Sequence, residues 1–461
     1  MIKTTIIIQA RSNSTRYKNK IFKKISNLSL IEWVIKRCKL SKADKIILAT
    51  SNHTKDKRLK FFCKQEDIIF FSGDESNVLK RFYDAANFSK TNNIIRVCAD
   101  NPFIDPKEIN QLILSFKKTK GKFDYYFNHR NLNSNTFADG FGAEMFKVSL
   151  LRKIIKQKIK KTHKEHVTSY LWDNKNLFSF YPCKTYVHQK YHNIICDINN
   201  KFDYDKLRNF IRVKKINVKT SASKIASLIS SYEIDYYLKD LFNLNRSLAG
   251  ENNRKTLKYL KNIVPLSIKG IKSDTNIEGW TIPKEWTINK GHISIDGEKI
   301  LDFKDNNLHV PSYSQSVNKL LSFKELLKKI HTHKIPKAIP YRTFYYKKDW
   351  GFCLSKENLN LLKNNLKNQK NKKIKVRIDA KFKKGKMNYG EILIPGRSKR
   401  EILISTYICH PSMANDNLSG VILTSLLARF LFSKANLKWS YRLIFVPETI
   451  GAISYISKNK K

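Results

Sequence analysis

The sequence predicts an α/β protein made of two linked units. The first is a doubly wound, mainly parallel sheet, and the second is a partial α/β unit with a small β-rich insert. Three observations carry this reading. From Met1 to about Arg212, short apolar runs alternate with helix-period segments, the pattern of strands joined by crossover helices. Between Ile277 and Tyr346 that rhythm gives way to short alternating runs rich in Trp, Pro, Gly and aromatics. After Lys373 the strand and helix alternation returns.

In chain order, Thr4–Gln9, Lys45–Ala49, Ile68–Phe71 and Ile94–Cys98 read as buried strands, and Leu30–Leu40 and Val78–Phe88 carry apolar residues at helical spacing. A polar stretch at Lys214–Ser223 and a helical segment at Ile225–Phe242 read as linker and lead-in. The expected boundaries are therefore 1–212, 213–234 and 235–461, with the insert at about 277–346. In the last part α/β character returns: Ile374–Ile378, Glu401–Ile408 and Tyr441–Val446 read as strands, with Leu418–Phe432 as a helix between the last two. The Asn/Lys-rich run Lys363–Lys375 reads as a solvated loop or helix end.

A chain of 461 residues with 41% hydrophobic and 12% aromatic residues can bury real cores, which excludes a mainly disordered protein. The formal charge of +51 invites a nucleic-acid reading. However, the excess is Lys spread evenly along the chain rather than a local patch, and no aromatic platform accompanies it. It reads as a solvated background that favours anionic substrates. The seven cysteines are scattered without a C-x-x-C pair, so neither a disulfide framework nor a cysteine zinc site is suggested. The run Ile6-Ile7-Ile8 is too brief for a signal-peptide core and no stretch reaches a membrane span, so a cytoplasmic location is expected.

Sheets of this kind bind ligands beyond the carboxyl ends of their strands. Directly after the first strand, Gln9 to Lys20 holds Arg11, Arg16, Lys18 and Lys20 together with Ser12, Ser14 and Thr15. Cations and hydroxyls in such a loop suit a polyphosphate. Asp100 and Asp197 each follow an apolar strand, and two aspartates plus phosphates can hold Mg²⁺.

The stretch I-I-Q-A-R-S-N-S-T-R-Y-K-N-K, Leu30 to Ile35, Ala49-Thr50-Ser51, Gly73 with Val78 to Phe82, Arg96 to Pro102 and Lys164 to Thr168 together resemble the cytidylyltransferases that make CMP-activated acidic sugars, in particular the SpsF-like spore-coat branch. The resemblance implies a Rossmann-like nucleotidyltransferase domain using CTP and a sugar, for surface polysaccharide. It implies that Arg11, Ser14, Arg16 and Lys20 cradle the phosphates, with Lys20 and Asp100 catalytic, and that Asp100 and Asp197 bind Mg²⁺. The family has Pro-Gly where this chain has Lys18-Asn19, and Asn19 is a residue that tolerates the left-handed conformation. In Asp139 to Glu144, Gly142 stands where the SpsF-like branch carries an acid, leaving Glu144 to meet the sugar. His163 and His166 read as a polar helix face near the site.

Further on, His410 and Asp416 follow one strand and Glu448 follows another, placing an imidazole and two carboxylates on one sheet edge. That donor set suits zinc, with a carboxylate to activate water. From Asp235 onward the chain resembles aminopeptidase-like proteins of the DUF4910 type with a DUF2172 insert, related to M28 zinc aminopeptidases. The residues carrying this are Leu244 to Leu248, Trp280 to Trp286, Asn307 to His309, Ile339 to Thr343, Asp349 to Cys353, Tyr389 to Glu391 and His410 to Gly420. The resemblance implies His410 and Asp416 as Zn²⁺ ligands and Glu448 as general base. Thr449 and Ser412 replace a second metal-binding Glu and an Asp of the family, and the family continues beyond the equivalent of Lys461. The expectation is a half-built domain, from a split gene or completed by a second chain.

The leading expectation is Mg²⁺-dependent transfer of CMP from CTP to an acidic sugar. The alternatives are a zinc hydrolase acting on amide bonds and a non-catalytic C-terminal module that docks or delivers sugar. Oligomeric state is open from the residues, and the resemblance implies a homodimer.

Overall fold

The computed structural model describes residues 3–14, 16–132, 138–187, 191, 193–366, 373–434 and 436–460. It divides into two compact units, Met1–Glu233 with Ser433–Ala435, and Ile234–Phe432 with Asn436–Lys461. Among the described residues no helix is long and apolar enough to cross a membrane.

In unit 1, seven strands form one sheet: β1 Thr5–Gln9, β2 Lys45–Ser51, β3 Ile69–Gly73, β4 Asn93–Cys98, β5 Tyr125–Phe127, β6 Glu144–Lys147 and β7 Phe180–Pro182. Their spatial order is β3-β2-β1-β4-β6-β5-β7. The first four strands run parallel, whereas β6 is antiparallel to both β4 and β5. Ile6, Ile7 and Ile8 are fully buried, because a central parallel strand is covered on both faces. Helices α1 Leu30–Lys39, α2 Val78–Phe88 and α3 Pro106–Lys118 supply cover. A capping box between Ser29 and Glu32 starts α1, and Asp105 caps α3 with Pro106 at its first turn.

The chain moves from β1 to β2 on one side, and later to β4 on the other. The carboxyl end of β1 is thus a topological switch point, where a crevice opens. Two further helices, α4 Lys201–Val213 and α5 Ala222–Phe242, follow, the second overlapping the segment expected as lead-in.

Unit 2 begins at Ile234, within α5, continues with α6 Glu251–Leu260 and contains two four-stranded sheets. Its strands are β8 Ser267–Lys272, β9 Glu285–Ile295, β10 Glu298–Asp302, β11 Val317–Leu321, β12 Ile374–Lys383, β13 Lys386–Ile394, β14 Ser398–Tyr407 and β15 Trp439–Val446. The antiparallel sheet β10-β9-β12-β11 packs over Trp286, Ile293, Val376 and Ile378. The mixed sheet β8-β13-β15-β14 is antiparallel except for β14 and β15, which are parallel and joined through α7 Ser419–Phe432. A last helix, α8 Ile450–Lys458, follows β15.

The β-rich segment is thus a real sheet, but it borrows a later strand. Ile374–Ile378, read as part of the returning α/β layer, instead forms β12 in the antiparallel sheet, paired to β9 and β11. Its alternating burial fits a sheet covered on one face, a pattern also compatible with the edge of an α/β layer. Of the run Lys363–Lys375, residues 367–372 lie outside the described residues.

Candidate functional site

The loop after β1 is folded back on itself. The amides of Ser14 and Asn19 donate to the Ser12 carbonyl, each at 3.0 Å. Asn19 takes the left-handed conformation, φ 56°, and turns the chain into a short 3₁₀ turn beginning at Lys20. Asn19 therefore supplies the left-handed position itself. Asn19→Gly is expected to keep stability within a few tenths of a kcal/mol, whereas Asn19→Val should cost about 1–2 kcal/mol and lower any activity this crevice carries. Thermal unfolding and steady-state kinetics on the two variants check this.

Asp56, which sequence reasoning missed, anchors the loop from below. It accepts the Ser12 amide at 2.7 Å and the Ser51 hydroxyl at 2.5 Å. Burial would raise its carboxyl, but hydrogen bonds from the Ser12 and Ser51 side of the loop hold it below the ordinary range.

Arg11, Ser14, Arg16 and Lys20 line a cavity of about 350 Å³, whose opposite wall holds Asp100, Asp139 and Asp197. The structure thus brings Arg11, Ser14, Arg16, Lys20, Asp100 and Asp197 to one crevice, whereas Ser12, Lys18 and His163 do not line it and Thr15 lies outside the described residues. Lys20 is nearly buried, and its ammonium donates to Asp100 Oδ2 at 2.9 Å and to the Ile198 carbonyl at 2.6 Å. Arg11 lies at the surface, 3.3 Å from Glu165.

Three chain segments are stitched together under the aspartates. The Ile198 amide donates to the Asp100 carbonyl at 2.9 Å, and the Asp139 amide to the Ile194 carbonyl at 2.9 Å. Gly140, at φ +94°, permits this approach, since an added Cβ would lie 3.0 Å from the Cys196 Cβ. Asp139 is the carboxylate that the sequence left unassigned. Nothing local marks it, because its neighbours come from residues about 40 and 60 positions away.

Burial, with Asp139 and Asp100 beside it, pushes the Asp197 carboxyl up to about 7. Asp139 is raised by burial and by Asp100. Asp197 Oδ2 accepts from the Asn199 side chain, while its buried Oδ1 has no hydrogen-bond partner among the described residues. Crowded carboxylates with an unfilled oxygen are what a hard divalent cation satisfies, so these residues fit Mg²⁺.

Beyond this crevice a second cavity of about 460 Å³ shares Arg96, His129, Glu144 and His166 with the first. Glu144 is already taken: Arg96 Nη1 donates to both its oxygens at 3.0 Å, His129 Nε2 lies at 3.3 Å and the Thr168 hydroxyl at 3.4 Å. Burial would raise Glu144, but Arg96 and His129 hold it below the usual carboxylate range. His129 is pushed down to about 4 by burial, with Arg130 and Arg96 adding to the effect, so it is neutral near pH 7. Arg130 lies over the Trp172 ring at 3.8 Å and has no carboxylate partner among the described residues.

Gly142 has a steric reason: a Cβ there would lie 2.4 Å from the Asn128 carbonyl oxygen, so the acid of the related branch has no room on this backbone. His163 is structural, buried and 2.8 Å from Asp173, while His166 faces the cavities.

In unit 2, β14 and β15 end side by side, and the Ile408 amide donates to the Val446 carbonyl at 3.0 Å. This places His410 between two carboxylates. Its Nε2 is 3.0 Å from Glu448 and its Nδ1 is 3.2 Å from Asp416, which also accepts the Tyr407 hydroxyl. The buried Arg246 guanidinium donates to the His410 carbonyl at 3.0 Å, and the Tyr341 ring lies 4.6 Å from the imidazole. The Cys409 sulfur completes a set in which it, His410 and Glu448 offer ligand atoms within 4.8 Å of one another. Burial pushes the Cys409 thiol up to about 12, and its sulfur accepts the Glu448 amide. The N, O and S donors fit a zinc-sized cation. Ser412 donates to the Phe242 carbonyl and accepts from Asn307, which fixes the turn.

Residues 5–238 match the family model described as cytidylyltransferase. The chain belongs to the cytidylyltransferase family. Residues 236–461 match a second model, the domain of unknown function DUF4910. A Clostridium acetobutylicum protein named as a polysaccharide biosynthesis protein with an aminopeptidase-like domain is 44% identical over 232 residues, covering 50% of this chain and 51% of that protein. This chain therefore spans about half the length of that relative. The Bacillus subtilis spore coat polysaccharide biosynthesis protein SpsF is 26% identical over 230 residues, 49% of this chain and 92% of that one. A cytidylyltransferase structure from Leptospira borgpetersenii is 24% identical and covers 51% of this chain and 96% of its own, at a TM-score of 0.46.

Proposed function

We propose that this cytidylyltransferase family member transfers CMP from CTP to an acidic sugar in surface polysaccharide synthesis. The observation that carries the reading is the crevice at the end of β1, where a cationic loop faces three aspartates. In this reading Arg11, Ser14 and Arg16 bind the triphosphate, and Lys20 neutralises charge while fixing Asp100. A sugar hydroxyl attacks the α-phosphorus. The new P–O bond forms as the bond to the bridging oxygen breaks, pyrophosphate leaves with the electron pair, and the hydroxyl proton passes to solvent. Asp100 and Asp197 are the residues to hold Mg²⁺, which would supply charge neutralisation at the phosphates. The chain's own contribution is positioning, since it must hold the hydroxyl in line with the leaving group.

The acidic sugar is supported by the second cavity. Glu144 is consumed by Arg96, while Arg130, braced on Trp172, lines the same cavity with no carboxylate partner among the described residues. Arg130→Met is expected to raise the KM for an acidic sugar about 10- to 100-fold, with the KM for CTP unchanged. Equal loss with a neutral sugar would remove the acid from the account.

A second reading applies to unit 2: hydrolysis of an amide bond at a zinc site. It is supported by His410 lying between Asp416 and Glu448. His410, Asp416 and Cys409 are the residues to hold Zn²⁺, which would polarise a carbonyl and acidify water, with Glu448 placed to take the proton. Elemental analysis is expected to find about one zinc per chain in the wild type, and none in His410→Ala.

A further inference from the structure

Unit 2 also holds a cleft of about 640 Å³, formed apart from the His410 centre. Its wall is aromatic, built by Trp280, Phe344, Tyr345, Tyr346 and Phe382, with Tyr313 as the floor. The floor is fixed. The buried Tyr313 hydroxyl donates to the Lys284 carbonyl and accepts the Ala249 amide, each at 3.1 Å. Above it the rings open to solvent, and Tyr346 reaches 71% exposure. Large rings left exposed around a concave surface mark a binding site more often than a fold requirement.

Ring geometry narrows the ligand. Tyr313 and Tyr345 meet at 73°, Tyr345 and Tyr346 at 69°, and Trp280 and Tyr346 at 69°. The wall therefore presents successive faces that turn relative to one another. A flat base would cover one face only. A chain of puckered sugar rings, each rotated from the last, can lay apolar C–H faces on several, and the volume suits more than one ring.

Polar groups lie between the rings. The Gln315 side-chain amide has no hydrogen-bond partner among the described residues, although its backbone amide is bonded to Asp349. Asp274 is 3.6 Å from Lys384. Lys284 and Lys348 line the cleft without a carboxylate partner among the described residues. Lysine is common throughout this chain. What distinguishes these two is their place on the rim of an aromatic wall.

We infer that this cleft binds an acidic oligosaccharide. Its rings lie against Trp280, Tyr345, Tyr346 and Phe382, its acid group meets Lys284 or Lys348, and Gln315 takes its hydroxyls. The inference stands on unit 2 alone and needs no catalysis at either centre.

Saturation-transfer NMR on the full chain in 150 mM salt, roughly one 8 Å Debye length, tests it with three probes: an α2,8-linked sialic acid tetramer, neutral chitotetraose and a decaproline peptide. Saturation should pass to the sugar-ring protons of the acidic tetramer. Trp280→Ala and Tyr346→Ala should each weaken its binding at least about 10-fold, and Lys284→Met with Lys348→Met should abolish its advantage over chitotetraose. Tyr346 is mostly exposed, so its variant tests binding with the fold retained, as circular dichroism would verify. Binding of decaproline alone, chitotetraose binding as tightly as the acidic tetramer, absence of transfer to either saccharide, or unchanged affinity in both aromatic variants would each overturn the inference.

Discussion

Asp100→Ala is expected to lower CTP-dependent pyrophosphate release by about 10³-fold or more. The size follows from what the side chain does twice. Asp100 is one of the carboxylates placed to hold a cation, and it is also the anion that holds the Lys20 ammonium at 2.9 Å. Removing it leaves the Lys20 ammonium with the Ile198 carbonyl but no counter-charge, and deletes a ligand in one step. The fold should tolerate the change, because the Asp100 carbonyl keeps its hydrogen bond from Ile198. Asp100→Asn separates the two roles: it preserves an oxygen for Lys20 but weakens cation binding. The loss in Asp100→Asn should therefore shrink at high Mg²⁺ concentration, whereas that in Asp100→Ala should not. Steady-state release over a metal titration checks both variants.

The second large effect concerns stability. Arg96→Met would leave the Glu144 carboxylate almost fully buried, with only the His129 and Thr168 contacts remaining. Breaking a buried ion pair from one side costs about 3–5 kcal/mol, because the remaining charge is desolvated without compensation. Removing both charges should cost less, so Arg96→Met with Glu144→Leu is expected to be more stable than Arg96→Met alone. Urea-dependent hydrogen exchange of β1 and β4 amides reads the unit 1 transition separately from unit 2.

The pH dependence has a definite sign. Glu144 is held below its ordinary value of about 4.3, so its contribution is present above that pH and is lost as pH falls through the lower folded-state value. The Arg96→Met variant should lack that acid-side slope. An equal slope in both proteins would remove Glu144 as its source.

Legibility in the sequence tracked how local each signal was. Ile6-Ile7-Ile8 and the strands ending at Ser51 and Cys98 were readable because a doubly covered strand is continuously apolar. The loop Arg11 to Lys20 and Asp100 were readable because each follows such a strand, whereas the run Ile194-Ile195-Cys196 before Asp197 forms only an isolated bridge at Ile195 rather than the strand the sequence suggested. The short aromatic strands β5 and β7 were missed, since three residues carry too little periodicity. Ile374–Ile378 was readable as a strand, but its partners in the insert sheet were not, because burial alternation does not name a strand's partners. Asp56, Asp139, His129 and Arg130 were missed as site residues for a different reason. Each acquires its role from contacts distant in sequence, such as the bond between Asp56 and Ser12, 44 residues apart. In unit 2, His410, Asp416 and Glu448 were legible as ends of two strands. The part of Cys409 beside them depended on β14 and β15 ending in register.

The central claim is nucleotide chemistry at the end of β1. The most direct measurement is pyrophosphate release by the full chain, given ATP, GTP, CTP and UTP in turn with Mg²⁺ and a panel of acidic and neutral sugars. The account predicts turnover with CTP and an acidic sugar, abolished in Asp100→Ala. Absence of CTP binding to the folded protein, or turnover that survives Asp100→Ala, would contradict it.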